Sequence, residues 1–145
     1  VRAATAEAAL TALPAALELG PLAGQGLPFY SGHVSYRVPV PSAAAGLTDA
    51  SLRFPSFGAA LLKVEGAPCA FPPYEVPWAD ALRGKTEITV EAVLTRRNTF
   101  GPLHQVPLIA PAYGPGNWLT EGKGFTGGYQ LVPTGLLEAP LLVGG

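Results

Sequence analysis

A chain of 145 residues has the length of one ordinary domain and can bury roughly 68 to 70% of its unfolded surface, so its folding requires neither a disulfide nor a metal. Nine Lys and Arg against ten Asp and Glu leave a formal charge of -1 with no basic stripe, which argues against a nucleic-acid partner. Charged residues make up only 13% and hydrophobic residues 48%, a composition so low in charge that part of the surface is expected to be covered by something else.

The opening VRAATAEAALTALPAALELG has no initiator Met and no continuous apolar core of a secretory signal, and no stretch reaches the ~20 apolar residues of a membrane helix. It reads as the cut edge of a longer protein, whose compartment this chain would share; no membrane partner is expected. Residues 1–24 are expected as an entry segment. Within it an Ala-rich helix is predicted over 3–16, with Leu10, Leu13 and Leu17 at helical spacing and Pro14 as its limit. Residues 25–145 are expected as one β-sandwich domain, because 18 Gly and 16 Pro are spread along the chain and cut it into short segments.

From residue 33 the hydrophobic period is two. HVSYRVPV places Val34, Tyr36, Val38 and Val40 on one face and His33, Ser35 and Arg37 on the other. SLRF repeats the pattern with Leu52 and Phe54. ALLKVEG turns Ala60, Leu62 and Val64 inward and Lys63 and Glu65 outward before Gly66. The lone Cys69 cannot form an internal disulfide, and its apolar setting in APCAFPP predicts a buried structural thiol rather than a nucleophile. TEITVEAVLTR is the clearest strand, with Ile88, Val90, Ala92 and Leu94 inward and Glu87, Thr89 and Glu91 outward. GYQLVPTG and LLEAPLLV supply two further predicted strands separated by Gly135. The total, seven to nine strands, suffices for two packed sheets.

The ordered series VEG (64–66), PPY (72–74), WADAL (78–82), GKT (84–86) and ITVEAV (88–93) resembles the galactose-binding-like jelly-roll domains that accompany the catalytic barrels of bacterial glycoside hydrolases of β-galactosidase and rhamnosidase type. Upstream, GLPFYSGHVSYRVPV resembles the entry strand of their carboxy-terminal sandwiches. Downstream, TRRNTFGPLH and YQLVPTGLLEAPLL resemble their closing strands. The likeness runs from about residue 25 to residue 142. Glu65 stands where that pattern more often has Asn or Asp, and Thr86 replaces the usual Asn of the Gly-x-Asn turn. The resemblance implies an all-β jelly-roll sandwich acting as a non-catalytic accessory module. Its partner would be the catalytic domain of the same parent chain, with carbohydrate as a further contact. Some domains of this class bind calcium through loop carbonyls and a carboxylate, but this chain has no Asp-x-Asp-x-Asp cluster to argue for it.

Two polar stretches hold the candidate site. In TRRNTFGPLH (95–104), continuing the strand phase sends Arg96 to the core side and Arg97 outward, and a buried Arg96 would need a carboxylate or several carbonyls. Asn98 and Thr99 can bond their own loop backbone, Gly101 permits a positive φ, and Pro102 stops the strand. The second stretch, APAYGPGNWLTEGKGF (110–125), sets Tyr113, Asn117, Trp118 and Phe125 in a long Gly/Pro-rich loop where burial is not assured. Stacking of a ring on a pyranose, with Arg, Asn or His bonding the hydroxyls, makes Trp118, Tyr113, Asn117, Arg97, Asn98 and His104 the candidate ligand-binding residues.

Other chemistries find no support. Hydrolysis of a glycosidic bond ordinarily needs two carboxylates roughly 5 to 9.5 Å apart, and the ten acids fall on turns and outward strand positions with nothing to pair them. Asp80 is read as the cap of the WADAL turn. His33, His104 and Cys69 lack metal-ligand spacing. GKGFTGG precedes a predicted strand rather than a helix, so it is no phosphate loop. No cofactor is expected. An autonomous carbohydrate-binding module using Trp118, Tyr113, Arg97 and His104 is the alternative reading, and a protein-interaction sandwich unrelated to sugars is a third.

Overall fold

An alternating strand needs a neighbour for its backbone groups and a second layer for its apolar face, and the two longest alternating runs of this chain pair with each other. The computed structural model describes residues 12–78, 82–108 and 112–144. Among them run nine strands: β1 (His33–Pro39), β2 (Ala50–Arg53), β3 (Phe57–Gly58), β4 (Leu61–Val64), β5 (Ala67–Cys69), β6 (Glu75–Pro77), β7 (Glu87–Val93), β8 (Gly135–Leu136) and β9 (Leu141–Gly144). β1 and β7 pair antiparallel from His33 opposite Val93 to Pro39 opposite Glu87. β4 takes the other edge of β7 and β5 folds back on β4, giving a sheet ordered β1-β7-β4-β5. A second sheet is ordered β6-β2-β9, and β3 pairs with β8 alone. Every pairing is antiparallel, and the α-helix among the described residues is the single turn α1 (Arg97–Phe100), so the chain is all-β.

The three sheets share one core, in a sandwich-like arrangement. Val34 and Tyr36 of β1, Leu62 and Val64 of β4, and Ile88, Val90 and Ala92 of β7 join Leu52, Phe54 and Leu136 in a single buried cluster. Burying a Val, Leu or Ile side chain contributes about 1.5 to 3 kcal/mol, so this inward face dominates the stability. Leu22, from the entry segment, is fully buried in the same cluster, and its N–H donates to Thr134 O at 3.1 Å. Where the sheets meet, the Leu136 N–H donates to the Tyr36 hydroxyl at 3.0 Å. Gly135 has φ +99°, and a Cβ there would run into the Tyr36 hydroxyl and the Leu22 side chain, so only glycine fits. Burial raises the Tyr36 hydroxyl pKa above its ordinary value, and the Leu136 N–H opposes part of the rise. Cys69 is buried, and desolvation pushes its thiol up.

Cross-strand charges order the solvent face of the four-stranded sheet. Glu91 meets His33 Nδ1 at 2.5 Å across β1 and Lys63 Nζ at 3.4 Å across β4. The two-residue turn joining β4 and β5 places Glu65 at φ 49° and Gly66 at φ 84°, an unfavourable conformation for a non-Gly residue. The Glu65 carboxylate offsets that cost by accepting from Lys85 Nζ at 2.6 Å and from the Thr89 N–H at 2.7 Å. These bonds, Lys85 foremost, lower its pKa; Ser51 and then Arg53 lower that of Glu75.

Four expectations are corrected or fall outside the description. Of the helix expected over 3–16, residues 3–11 lie outside the described residues and 12–16 are irregular, with a bend at 15 and 16, rather than helical. The stretch GYQLVPTG forms no strand over 128–134; β8 begins only at Gly135, because residues 98 and 103 rather than a neighbouring strand take the backbone bonds of Val132 and Gln130. Ala60, expected inward, is exposed, because β4 starts one residue later. The cap expected at Asp80 lies outside the described residues.

Two outcomes follow from these contacts. Tyr36→Phe leaves the buried Leu136 N–H without its acceptor and is expected to cost about 1 to 3 kcal/mol in urea unfolding, with the β signal in native buffer retained. Glu65 and Glu75 bind their protons less tightly folded than unfolded, so their contribution is full above the ordinary value of 4.5 and fades as pH falls through the lower folded values. The urea midpoint should therefore drop on acidification below that value, and the double variant Glu65→Gln, Glu75→Gln should flatten the drop.

Candidate functional site

The site grows from the end of β7. Leu94 is the last inward residue, its N–H bonded to Gly32 O at 3.1 Å, and the chain then leaves the ladder and closes the turn α1. That turn breaks the period of two and reverses the expected arginines. Arg97 is buried, 7% exposed, while Arg96 at the helix entrance is exposed. Arg97 Nη2 donates to Pro102 O at 3.2 Å, and its guanidinium lies 5.3 Å from the centre of the Tyr113 ring, within cation-π range. Gly101 is required by close approach, since a Cβ there would strike the Arg97 guanidinium and carbonyl.

Asn98 is fully buried and acts as a clasp between distant segments. Its Nδ2 donates to Val132 O at 2.8 Å, and its Oδ1 accepts from the Val132 N–H at 2.9 Å. Thr99 makes a second tie, its hydroxyl donating to Phe29 O at 2.7 Å. These three bonds hold α1 against residues 29 and 132.

The segment 103–106 then runs beside 124–130. Gln130 N donates to Leu103 O, Thr126 N to His104 O and Val106 N to Gly124 O, at 2.7 to 2.8 Å. His104 Nδ1 lies 3.0 Å from Thr126 O, so this nitrogen carries a proton and donates. The ring of His104 sits between two aromatics, 5.7 Å from Phe125 and 5.1 Å from Tyr129, and Tyr129 meets Phe29 edge-on at 5.0 Å. Phe29, Tyr129, His104 and Phe125 thus form one row, with the three carbocyclic rings exposed by 39 to 58%.

Trp118 and Tyr113 form a second pair, edge-on at 5.4 Å. Trp118 is 47% exposed, yet its Nε1 donates to Phe100 O at 3.2 Å. Asn117 is also occupied, accepting from Gly114 N at 2.7 Å and donating to Gln105 Oε1 at 2.9 Å. Phe100 stands 66% exposed beside them.

The fold therefore brings the six candidates to one end of the molecule but assigns them different duties. Trp118 and Tyr113 present ring surface. Arg97, Asn98 and Asn117 hold the loops together, and His104 does so through Nδ1. Tyr129, absent from the sequence-based candidates, belongs to the exposed row; it was hidden in a stretch read as a strand, although the Gly127-Gly128 pair before it signals a loop. Among the described residues no three His, Cys, Asp or Glu side chains converge as metal ligands, and no helix is long and apolar enough to cross a membrane.

Compared with protein-family models, curated proteins and solved structures, the chain gives no match. Asn98→Ala strips two bonds from the Val132 backbone and is expected to destabilise the chain by roughly 1 to 3 kcal/mol in urea unfolding. Hydrogen exchange should accelerate first at Val132, whereas a residue serving only a ligand would leave exchange unchanged.

Proposed function

We propose that the chain is a galactose-binding-like jelly-roll sandwich serving as a non-catalytic accessory module of a larger bacterial glycoside hydrolase, packed on the catalytic domain through its aromatic end. The observation that carries this reading is the exposed row Phe29, Tyr129, His104 and Phe125 beside Trp118 and Tyr113. Large rings left in solvent at one end of a weakly charged domain mark an interaction surface. The polar groups that would grip sugar hydroxyls, on Asn98, Asn117 and Trp118 Nε1, are already bonded within the loops. What this end offers is mainly ring surface, which suits docking better than recognition of hydroxyl patterns.

The second reading, an autonomous carbohydrate-binding module, is favoured by the half-exposed Trp118 ring, since stacking on a pyranose needs a face rather than hydrogen-bonding tips. Hydrogen exchange separates the two. In the full-length gene product, amides around Trp118, Phe125 and Tyr129 are expected to exchange roughly tenfold more slowly than in the 145-residue chain. Equal exchange in both would overturn docking. Saturable binding of the isolated chain on a glycan array, lost in a folded Trp118→Ala variant, would put the carbohydrate-binding reading in its place.

A further inference from the structure

A strand inside a sheet bonds along both edges, whereas β1 stands at the end of the order β1-β7-β4-β5. Among the described residues no strand pairs with its far side. The ladder fixes which groups are left over. Gly32 O accepts from Leu94 N and Val40 N donates to Thr86 O, so the even-numbered residues between them are the ones that bond to β7. The N–H and C=O of Ser35 and Arg37 therefore point away from β7, and both residues are exposed. Pro39, which has no N–H to lose, sits where such an edge tolerates it.

A groove of about 910 Å³ runs beside this edge, between β1, Leu52 of β2, Leu142 of β9 and the segment 15–19. Val38, Ile88, Leu17 and Leu19 make it apolar, with Leu19 48% exposed. A strand laid against β1 continues the pleat, sending alternate side chains into the groove beside Tyr36 and Val38 and the others outward beside Ser35 and Arg37. The outward face supplies a charge. His33 already meets Glu91 at 2.5 Å, whereas the Arg37 side chain is 81% exposed and approaches Glu87 only to 3.9 Å. A second copy of β1 could place only His33, Ser35, Arg37 or Pro39 opposite Arg37, and none of these is an acid.

We propose that the β1 edge receives an extended segment of a partner protein as an added antiparallel strand, with an acidic residue opposite Arg37 and apolar residues on either side of it over the groove. In that arrangement the acid and Arg37 exchange two backbone bonds and also pair their side chains. The groove shares no residue with the aromatic end, so the inference goes beyond docking there and stands if that docking fails.

The test is amide hydrogen exchange of the 145-residue chain with and without the blocked peptide acetyl-Thr-Val-Glu-Val-Thr-Val-Thr-amide. In the free chain Ser35 and Arg37 are expected to exchange fast, and Val34, Tyr36 and Val38 slowly. Saturating peptide should slow Ser35 and Arg37 roughly tenfold and leave the other three unchanged, an alternation that contact without strand pairing does not give. Two altered peptides, one with Lys for Glu and one with that Glu N-methylated, are expected to bind roughly tenfold more weakly. Arg37→Glu changes an exposed side chain and should reverse the preference between the Glu and Lys peptides. Ser35→Pro removes an N–H that β7 does not use and should weaken both; should it unfold the chain, Arg37→Glu still decides. No saturable protection by the Glu peptide, equal binding of the N-methylated peptide, or a Glu preference that survives in Arg37→Glu would overturn the proposal. So would a concentration-dependent dimer that protects Ser35 and Arg37 without peptide, which would put a second copy on this edge.

Discussion

The pairing of β1 with β7 is the constraint on which the remainder of the chain depends. Seven consecutive antiparallel residue pairs set which face of each strand is apolar, and a slip of one residue would carry Val34, Tyr36, Ile88, Val90 and Ala92 from the core into water. With that register held, β4 must add at the free edge of β7 with Leu62 and Val64 inward, and the Tyr36 hydroxyl must reach across to Leu136. The small pair β3–β8 then has an anchor that two residues of ladder alone could not supply.

The same strand positions the chemistry. Because β7 ends at Val93 and the chain curls at once into α1, a buried arginine and a buried asparagine stand next to the core, and each fastens a loop. Asn98 grips residue 132 across 34 positions of sequence, and Thr99 grips residue 29 across 70. The loops held this way carry exposed rings, with Trp118 Nε1 and His104 Nδ1 bonded to loop carbonyls. Rigid attachment of that kind is what lets exposed aromatic surface keep a defined shape, and a defined shape is required of any surface that recognises a partner.

The low charge of the chain acquires a location in this arrangement. Among the described residues, ion pairs sit on the solvent face of the four-stranded sheet and around Glu75, at Glu91, Glu65, Arg37 and Arg53. The loop end is built instead from rings, prolines and glycines, and Arg96 and Arg97 beside it line a cavity.

Strand identity was legible in the sequence wherever one face is buried, because the pleat alternates side chains with a period of two whatever lies beyond. Val34 and Tyr36, Leu62 and Val64, and Ile88 through Leu94 therefore fell on the correct side, and Cys69 was read as a buried thiol from its apolar neighbours. The period fails where the backbone leaves the ladder. Arg96 and Arg97 exchanged places because α1 turns about 100° per residue rather than 180°, and residues 128–134 alternate like a strand yet bond mainly to loop segments. The convergence of Trp118, Tyr113, His104 and Tyr129 depends on hydrogen bonds between residues 12 to 70 positions apart. Local sequence carries no term for such contacts, so the strands were determined by the sequence itself and the site only by the tertiary fold.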